Sequence, residues 1–261
     1  MSVLVVGSTA LDSIKTPKTE RMRLLGGSAS HASVAASFFA PVHLVGIVGD
    51  DFPVRYLQLY RRHGIDLEAL QKVRGKTFHW AGEYEVNMNN RRTLSTELGV
   101  FESFSPQLPR SFQQIPYVLL ANIAPALQHR VLDQMDRPKF VIADTMDLWL
   151  NTARAELLTL LRRVDALVLN DSEARLLSGE DHLLSAIKMI HRLGPKYVIV
   201  KKGEHGSILS SPHNFFLTSA FPLTKVVDPT GAGDSFVGGL VGYLANRKGS
   251  IDAHLRRAVV H

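Results

Sequence analysis

Asp228-Pro229-Thr230-Gly231-Ala232-Gly233-Asp234-Ser235-Phe236 is the stretch from which the rest of this chain reads most simply. The run before it, Leu223-Thr224-Lys225-Val226-Val227, predicts a strand. After it, Phe236, Leu240 and Leu244 on one row, with Val237 and Val241 beside them, predict a helix. The nonapeptide is therefore a strand-to-helix turn. Pro229 fixes its own φ and biases Asp228 toward extended backbone, while Gly231 and Gly233 lift the Cβ restriction that would hold the turn open. Bare amides at a helix start, with the positive end of the helix dipole, make a site for anionic oxygens. Asp234 places a carboxylate in the same turn. The pairing suits phosphoryl transfer: amides hold charge growing on the transferred group while the acid aligns an attacking hydroxyl. On these residues alone, a carboxylate that merely complements the helix start fits Asp234 as well.

At full length the string resembles the C-terminal signature of the ribokinase-like (PfkB) carbohydrate and nucleoside kinases. The resemblance implies an α/β fold: a ribokinase-like three-layer α/β/α sandwich with a mostly parallel central sheet and a small β-lid. It implies Asp234 as catalytic base, the amides of Gly231, Ala232 and Gly233 as anion hole, and Thr230 at the nucleotide. ATP and Mg²⁺ follow as cofactors. A K⁺ site near Asp228 is a further implication.

Composition narrows the alternatives. A chain of 261 residues suits one large α/β domain with a buried core. With no cysteine, disulfides and thiolate metal sites are excluded, which fits a cytoplasmic protein. The net charge of +6 comes from scattered pairs such as Arg61-Arg62 and Arg162-Arg163, the pattern of a solvated surface rather than a nucleic-acid stripe. Strand-like Val3-Leu4-Val5-Val6 begins almost at Met1, leaving no room for a signal peptide. The most apolar region, residues 32 to 49, is broken by Pro41 and His43 and reads as helix then strand, not a membrane span.

Along the chain, Val3 to Val6 reads as a central strand buried on both faces. Asp12 follows it closely, either as a turn residue or as an acid placed to accept hydrogen bonds from sugar hydroxyls. The resemblance favours the second role. Gly26-Gly27 opens a small-residue helix similar to the family's N-terminal signature, which assigns both glycines to the acceptor site. His31 stands where the family's substrate-binding Asn aligns, and imidazole offers a different donor and acceptor set. Gly49-Asp50-Asp51 is expected to cap a helix from Phe52 to Arg62. Gly75-Lys76-Thr77 looks like half of a phosphate-binding loop, but Leu70 occupies the first glycine's position and β-forming aromatics follow. Residues 77 to 86 and 91 to 96 read as hairpin strands, in which Phe78, Trp80 and Tyr84 either cover a ligand or pack the lid.

From Tyr117 a strand-helix rhythm sets in, with strands at 118–121, 140–144 and 166–169 and helices at 125–135 and 150–161, implying a parallel sheet. Asp144 falls at a strand end and is a secondary substrate-site candidate. Asn170-Asp171-Ser172-Glu173 is both a helix-capping pattern and, by resemblance, the family's Asn-x-x-Glu motif, which holds the water shell of Mg²⁺. Tyr197 to Gly206 reads as a strand ending in a glycine-punctuated turn; the resemblance places Lys201, Gly203 and Gly206 beside the nucleotide. Ser250 to His261 reads as an amphipathic helix. Family members continue through further helices that wall the adenine pocket, so the C-terminal part of the family fold is expected to be missing. The expectation is one kinase domain over 1–261, with lid strands from about 11–25 and 75–97. It would transfer phosphate from ATP to a hydroxyl of a small sugar. The alternatives are a nucleoside kinase and a catalytically weak ligand-binding protein. A homodimer through the lid is implied, with no nucleic-acid or membrane partner.

Overall fold

In the computed structural model the sheet grows outward from β1 (Val3–Val6), every residue of which is buried. Described are residues 1–261 except 86, 87, 89, 90, 213 and 261, and the side chain of Arg91 is also left aside. Val86 and His261 of the expected elements thus lie outside the described residues. After β1 come β2 (Ala10–Thr16), β3 (Thr19–Gly26), α1 (Ser28–Ser37), β4 (Val42–Gly49), α2 (Val54–Arg62) and β5 (Leu70–Val73). β6 (Phe78–Tyr84) and β7 (Arg91–Glu97) follow, then β8 (Tyr117–Leu120), α3 (Pro125–Leu132) and β9 (Phe140–Asp144). The second half runs α4 (Asp147–Thr152), α5 (Arg154–Leu161), β10 (Ala166–Asn170), α6 (Asp171–Ser178), α7 (Leu183–Leu193) and β11 (Tyr197–Lys201). β12 (Ser207–Ser211), β13 (Asn214–Thr218), α8 (Ala232–Ala245) and α9 (Ile251–Ala258) complete it.

Two sheets result. The larger has the order β13-β12-β11-β10-β9-β8-β1-β4-β5, parallel except for the antiparallel β11-β12-β13 edge. Because successive side chains point to opposite faces, Val3 and Val5 join a core with α1 and α8, while Leu4 and Val6 join another with α5, α6 and α7. Helices on both faces explain why the strands are continuous apolar runs. The chain has the ribokinase-like α/β fold. The smaller sheet, β3-β2-β6-β7, is built from residues 10–26 and 78–97. No helix among the described residues is long and apolar enough to cross a membrane.

Four expectations need correction. Leu223–Val227 forms no strand and does not add to the free edge of β13; Leu223 and Val227 are exposed, so no burial favours the pairing. The acidic pair before α2 does not cap it. Pro53 is the N-cap residue, and Asp51 instead accepts hydrogen bonds from the Thr77 amide and hydroxyl, both 2.7 Å. The expected helix 150–161 is two helices, because Ala153 leaves helical backbone with φ −136°. The helix at 125 stops at Leu132, short of 135. By contrast α9 forms within the stretch read as a helix, over Ile251–Ala258, its Ser250 Oγ accepting from the Ala253 amide and Leu255, Ala258 and Val259 buried.

Candidate active site

Four neighbouring parallel strands, β8 to β11, end on one rim, the position where α/β sheets collect ligands. Asp144 closes β9, Asn170 closes β10 and Lys201 closes β11, with Asn170 and Lys201 paired in register. Lys201 Nζ lies 3.3 Å from Asp144 Oδ1. Burial works against the charge on Lys201, but the carboxylates of Asp144, Glu173 and Asp234 outweigh it and hold its pKa above the usual lysine value. Burial pushes the Asp144 carboxyl up, opposed by the Lys201 ammonium. Asp144 Oδ1 also accepts the Thr145 amide at 3.1 Å. Asn122, on the same rim, is committed to protein, its Oδ1 accepting Trp149 Nε1 at 2.8 Å.

Asn170 and Glu173 form the capping box of α6: Asn170 Oδ1 accepts the Glu173 amide at 2.8 Å, and Glu173 Oε2 accepts the Asn170 amide at 2.7 Å. Burial pushes Glu173 up to about 7. No group of three metal-ligating side chains occurs among the described residues. The donor set nevertheless fits a hard cation bound through its water shell. Glu173 Oε1 is left over by the capping box, and the carboxylates of Asp144 and Asp147 lie near it, together with the Lys201 ammonium.

α8 starts at the expected turn. Gly231 is its N-cap residue with φ 74°, a conformation that costs a side-chain-bearing residue energy. Of the three amides read as an anion hole, that of Ala232 is used within the turn, donating to the Pro229 carbonyl at 3.1 Å. The amides of Gly231 and Gly233 make no backbone hydrogen bond to the described residues. Asp234 sits in the first turn and is half-buried. Asp228 Oδ1 accepts the Thr230 amide at 2.9 Å, an Asx turn that shapes the approach to the helix.

A chain of contacts leads to this turn from Asp12, one of the residues expected at the acceptor. Asp12 lies within β2, not in a turn, and is buried; its carboxylate covers Gly26, where a Cβ would stand 2.0 Å from Oδ2. Gly27 caps α1 with φ 92°, and its carbonyl accepts the His31 amide. The His31 ring then lies against Gly231, where a Cβ would stand 2.4 Å from it. His31 Nε2 is buried and has no hydrogen-bond partner among the described residues. Burial lowers the His31 pKa against the pull of Asp228, so the ring is neutral near pH 7. What brings α8 against α1 is the absence of side chains between them: a Cβ on Gly238 would stand 2.2 Å from the Ala32 carbonyl oxygen.

The small sheet touches the turn directly, Thr230 Oγ1 donating to the Tyr84 hydroxyl at 3.1 Å. Phe78 is packed instead on Phe101, their centroids 5.6 Å apart, and Trp80 Nε1 donates to Thr93 Oγ1 at 3.2 Å. Two cavities flank the start of α8. One, of about 700 Å³, is lined by His31, Phe38, Phe39, Ala232 and Phe236 among others. The other, of about 280 Å³, is lined by Lys201, Gly203, Gly206, Ser207, Gly233 and the apolar Phe221, Val259 and Val260. It joins the residues expected at the nucleotide. Sequence reasoning missed Ser207, whose buried hydroxyl has no partner among the described residues; a serine after a glycine carries no signal until the cavity beside it is known. It also missed the Tyr84–Thr230 contact and the Lys201–Asp144 pair, which join residues 146 and 57 positions apart.

A parallel-sheet rim that gathers acids, a lysine and a glycine-rich helix start defines a phosphotransferase of the α/β class. The chain belongs to the pfkB family of carbohydrate kinases, whose family model matches residues 2–260. It is a ribokinase-family sugar or nucleoside kinase, an ATP-dependent phosphotransferase. Among its relatives is the cytidine kinase of Thermococcus kodakarensis, 28% identical over 255 residues and matched over 95% of this chain and 90% of the relative. The aminoimidazole riboside kinase of Salmonella typhimurium is 27% identical, over 92% of this chain and 79% of the relative. In fold the chain is similar to the Salmonella enterica aminoimidazole riboside kinase solved with aminoimidazole riboside and an ATP analogue. That match has a TM-score of 0.79 at 20% identity over 99% of this chain and 90% of the other. The adenosine kinase of Sinorhizobium meliloti gives 0.80 at 19% identity, over 99% and 90%.

Proposed function

We propose that the chain transfers the γ-phosphoryl group of ATP to a ribose hydroxyl of a nucleoside, with Asp234 as base. The observation that carries the reading is the position of Asp234, in the first turn of α8, beside the Gly231 and Gly233 amides, which make no backbone hydrogen bond to the described residues. In the reaction the acceptor oxygen bonds to the γ-phosphorus as the bond to the β,γ-bridging oxygen breaks. ADP leaves, and the hydroxyl proton passes to the Asp234 carboxylate. The two amides hold charge on the transferred group. Gly203, Gly206, Lys201, Ser207 and Thr230 line the nucleotide side, and Asp12, Gly26, Gly27 and His31 hold the acceptor. Mg²⁺, held through water by Asn170 and Glu173, would neutralise polyphosphate charge. Asp228 is the candidate for a monovalent-cation site. The small sheet acts as a lid, excluding water from the transfer.

A nucleoside is favoured over a free sugar by His31 and by kinship with the cytidine and aminoimidazole riboside kinases. The neutral His31 ring, which lies against Gly231, presents a buried nitrogen without a partner among the described residues. The test is ADP release across ribose, deoxyribose, fructose, cytidine, adenosine and inosine. Turnover confined to free sugars rejects the nucleoside. Asp234→Asn should lower kcat about a thousandfold or more while binding of a non-hydrolysable ATP analogue stays within about twofold. Unchanged turnover would reduce Asp234 to a helix-start acid.

A further inference from the structure

The sequence places Asp144 with the acceptor and Lys201 with the nucleotide, yet the two side chains touch, and that contact reassigns one of them. Asp144 is 4% exposed, and its Oδ1 is engaged by both the Thr145 amide and Lys201 Nζ. A carboxylate so buried and engaged is poorly placed to take hydroxyls from an incoming acceptor. It is well placed to hold an ammonium. Lys201 is the more open partner, its side chain 21% exposed, and it borders the 280 Å³ cavity. Its Nζ stands 3.0 Å from the point where a Cβ on Gly233 would lie. The ammonium therefore hangs over the same glycine whose amide is unspent, and any larger residue at 233 would displace it.

We propose that Lys201 is a γ-phosphate clamp and that Asp144 is its positioning residue, not a ligand of the acceptor. The inference rests on the phosphotransfer reading above. Asp144, Glu173 and Asp234 all bear on Lys201, so the rim is acidic, and a polyphosphate approaching it meets net repulsion unless a cation intervenes. Lys201 supplies a fixed positive charge at the transferred group. Asp144 aims the flexible four-carbon stem toward Gly233 before the nucleotide arrives, so little side-chain freedom is lost on binding. Buried ion pairs of this kind add little net stability, which fits a role in placement rather than in folding.

The test compares two probes in Mg²⁺ buffer by calorimetry: AMP-PNP, which carries a γ-phosphate, and ADP, which does not. Lys201→Met should weaken AMP-PNP about ten- to hundredfold, the loss of one charge-assisted contact, and change ADP less than about threefold. Lys201→Arg should recover part of the AMP-PNP affinity. Asp144→Asn should lower kcat with cytidine about tenfold or more while leaving the KM for cytidine within about twofold. Because removing one partner strands a buried charge, the double variant Lys201→Met/Asp144→Asn is included. It should fold like the wild type, show the AMP-PNP loss of Lys201→Met, and add nothing to it. Equal losses for AMP-PNP and ADP, or none, overturn the clamp. A raised cytidine KM with kcat intact for Asp144→Asn returns Asp144 to the acceptor. Wild-type protein that binds neither probe sinks the phosphotransfer reading as a whole, whereas wild-type binding with unaltered variants sinks only the clamp.

Discussion

The two sheets of this molecule differ in how deeply they are buried. In the large sheet, β1, β8 and β9 are buried at every residue, with helices over both faces. In the small one, β7 shows solvent on both sides from Arg92 to Glu97, and Glu83 bridges the partly exposed Lys15 and Arg92 at 2.9 and 2.6 Å. Exposed ion pairs contribute little. The small sheet joins the rest at its root, where Leu11 is buried in the core with α1 and α8 and Phe78 packs on Phe101, and through polar contacts: Arg23 to Asp51 at 2.7 Å, Thr77 to Asp51, and Tyr84 to Thr230. One sheet is thus a frame buried on both faces whose rim carries charge, and the other, the proposed cover, is buried at its root and exposed along its outer strand. A kinase needs both, because the transferred group must be positioned closely and yet be reachable.

The strongest challenge to that contrast is truncation inside the frame. Leu4 is fully buried in β1, and Leu4→Ala should cost about 3 to 5 kcal/mol of unfolding free energy in denaturant titration. A cost below about 1 kcal/mol would mean the frame is no tighter than the cover.

A second prediction separates the frame's interior from its rim. Burial raises Glu173 from 4.5 to about 7. A raised folded-state pKa means the folded protein prefers the protonated carboxyl, so the group's contribution is complete below about 4.5 and is lost as pH rises through about 7. Glu173→Gln mimics the neutral form and keeps a carbonyl for the Asn170 amide. Without nucleotide or divalent cation, its melting temperature should match the wild type near pH 4.5 and exceed it by several degrees at pH 8. The difference corresponds to at most on the order of 3 kcal/mol. A gap independent of pH would show that Glu173 is not strained by its burial.

The smallest effect concerns the tethers. Asp51→Ala removes three hydrogen bonds at the root of the small sheet and should cost about 1 to 2 kcal/mol. Function should respond more than stability: acceptor-independent ADP release should rise several-fold as water reaches the site. Fully retained coupling of ADP release to acceptor would mean the cover is held by packing instead.

Legibility followed the range of the forces. Burial on two faces writes continuous apolar runs into local sequence, so β1, β4, β8, β9, β10 and β11 were readable within a residue or two. Pro229, Gly231 and Gly233 write backbone geometry just as locally, so the start of α8 was readable too. The strand expected at Leu223–Val227 failed because strand propensity expresses itself through packing and burial, and this run stays exposed.

The amino-acid sequence by itself determined the family, the parallel frame and the residue types at the glycine-rich turn before α8, since these depend on side chains and backbone preferences a few positions apart. Only the tertiary structure decided that Asp51 tethers the small sheet rather than capping α2 and that Asp144 pairs with Lys201. Each of these is a contest among several partners for one donor or acceptor. Its outcome depends on which distant strand ends the fold brings within about 3 Å, the range over which hydrogen bonds act.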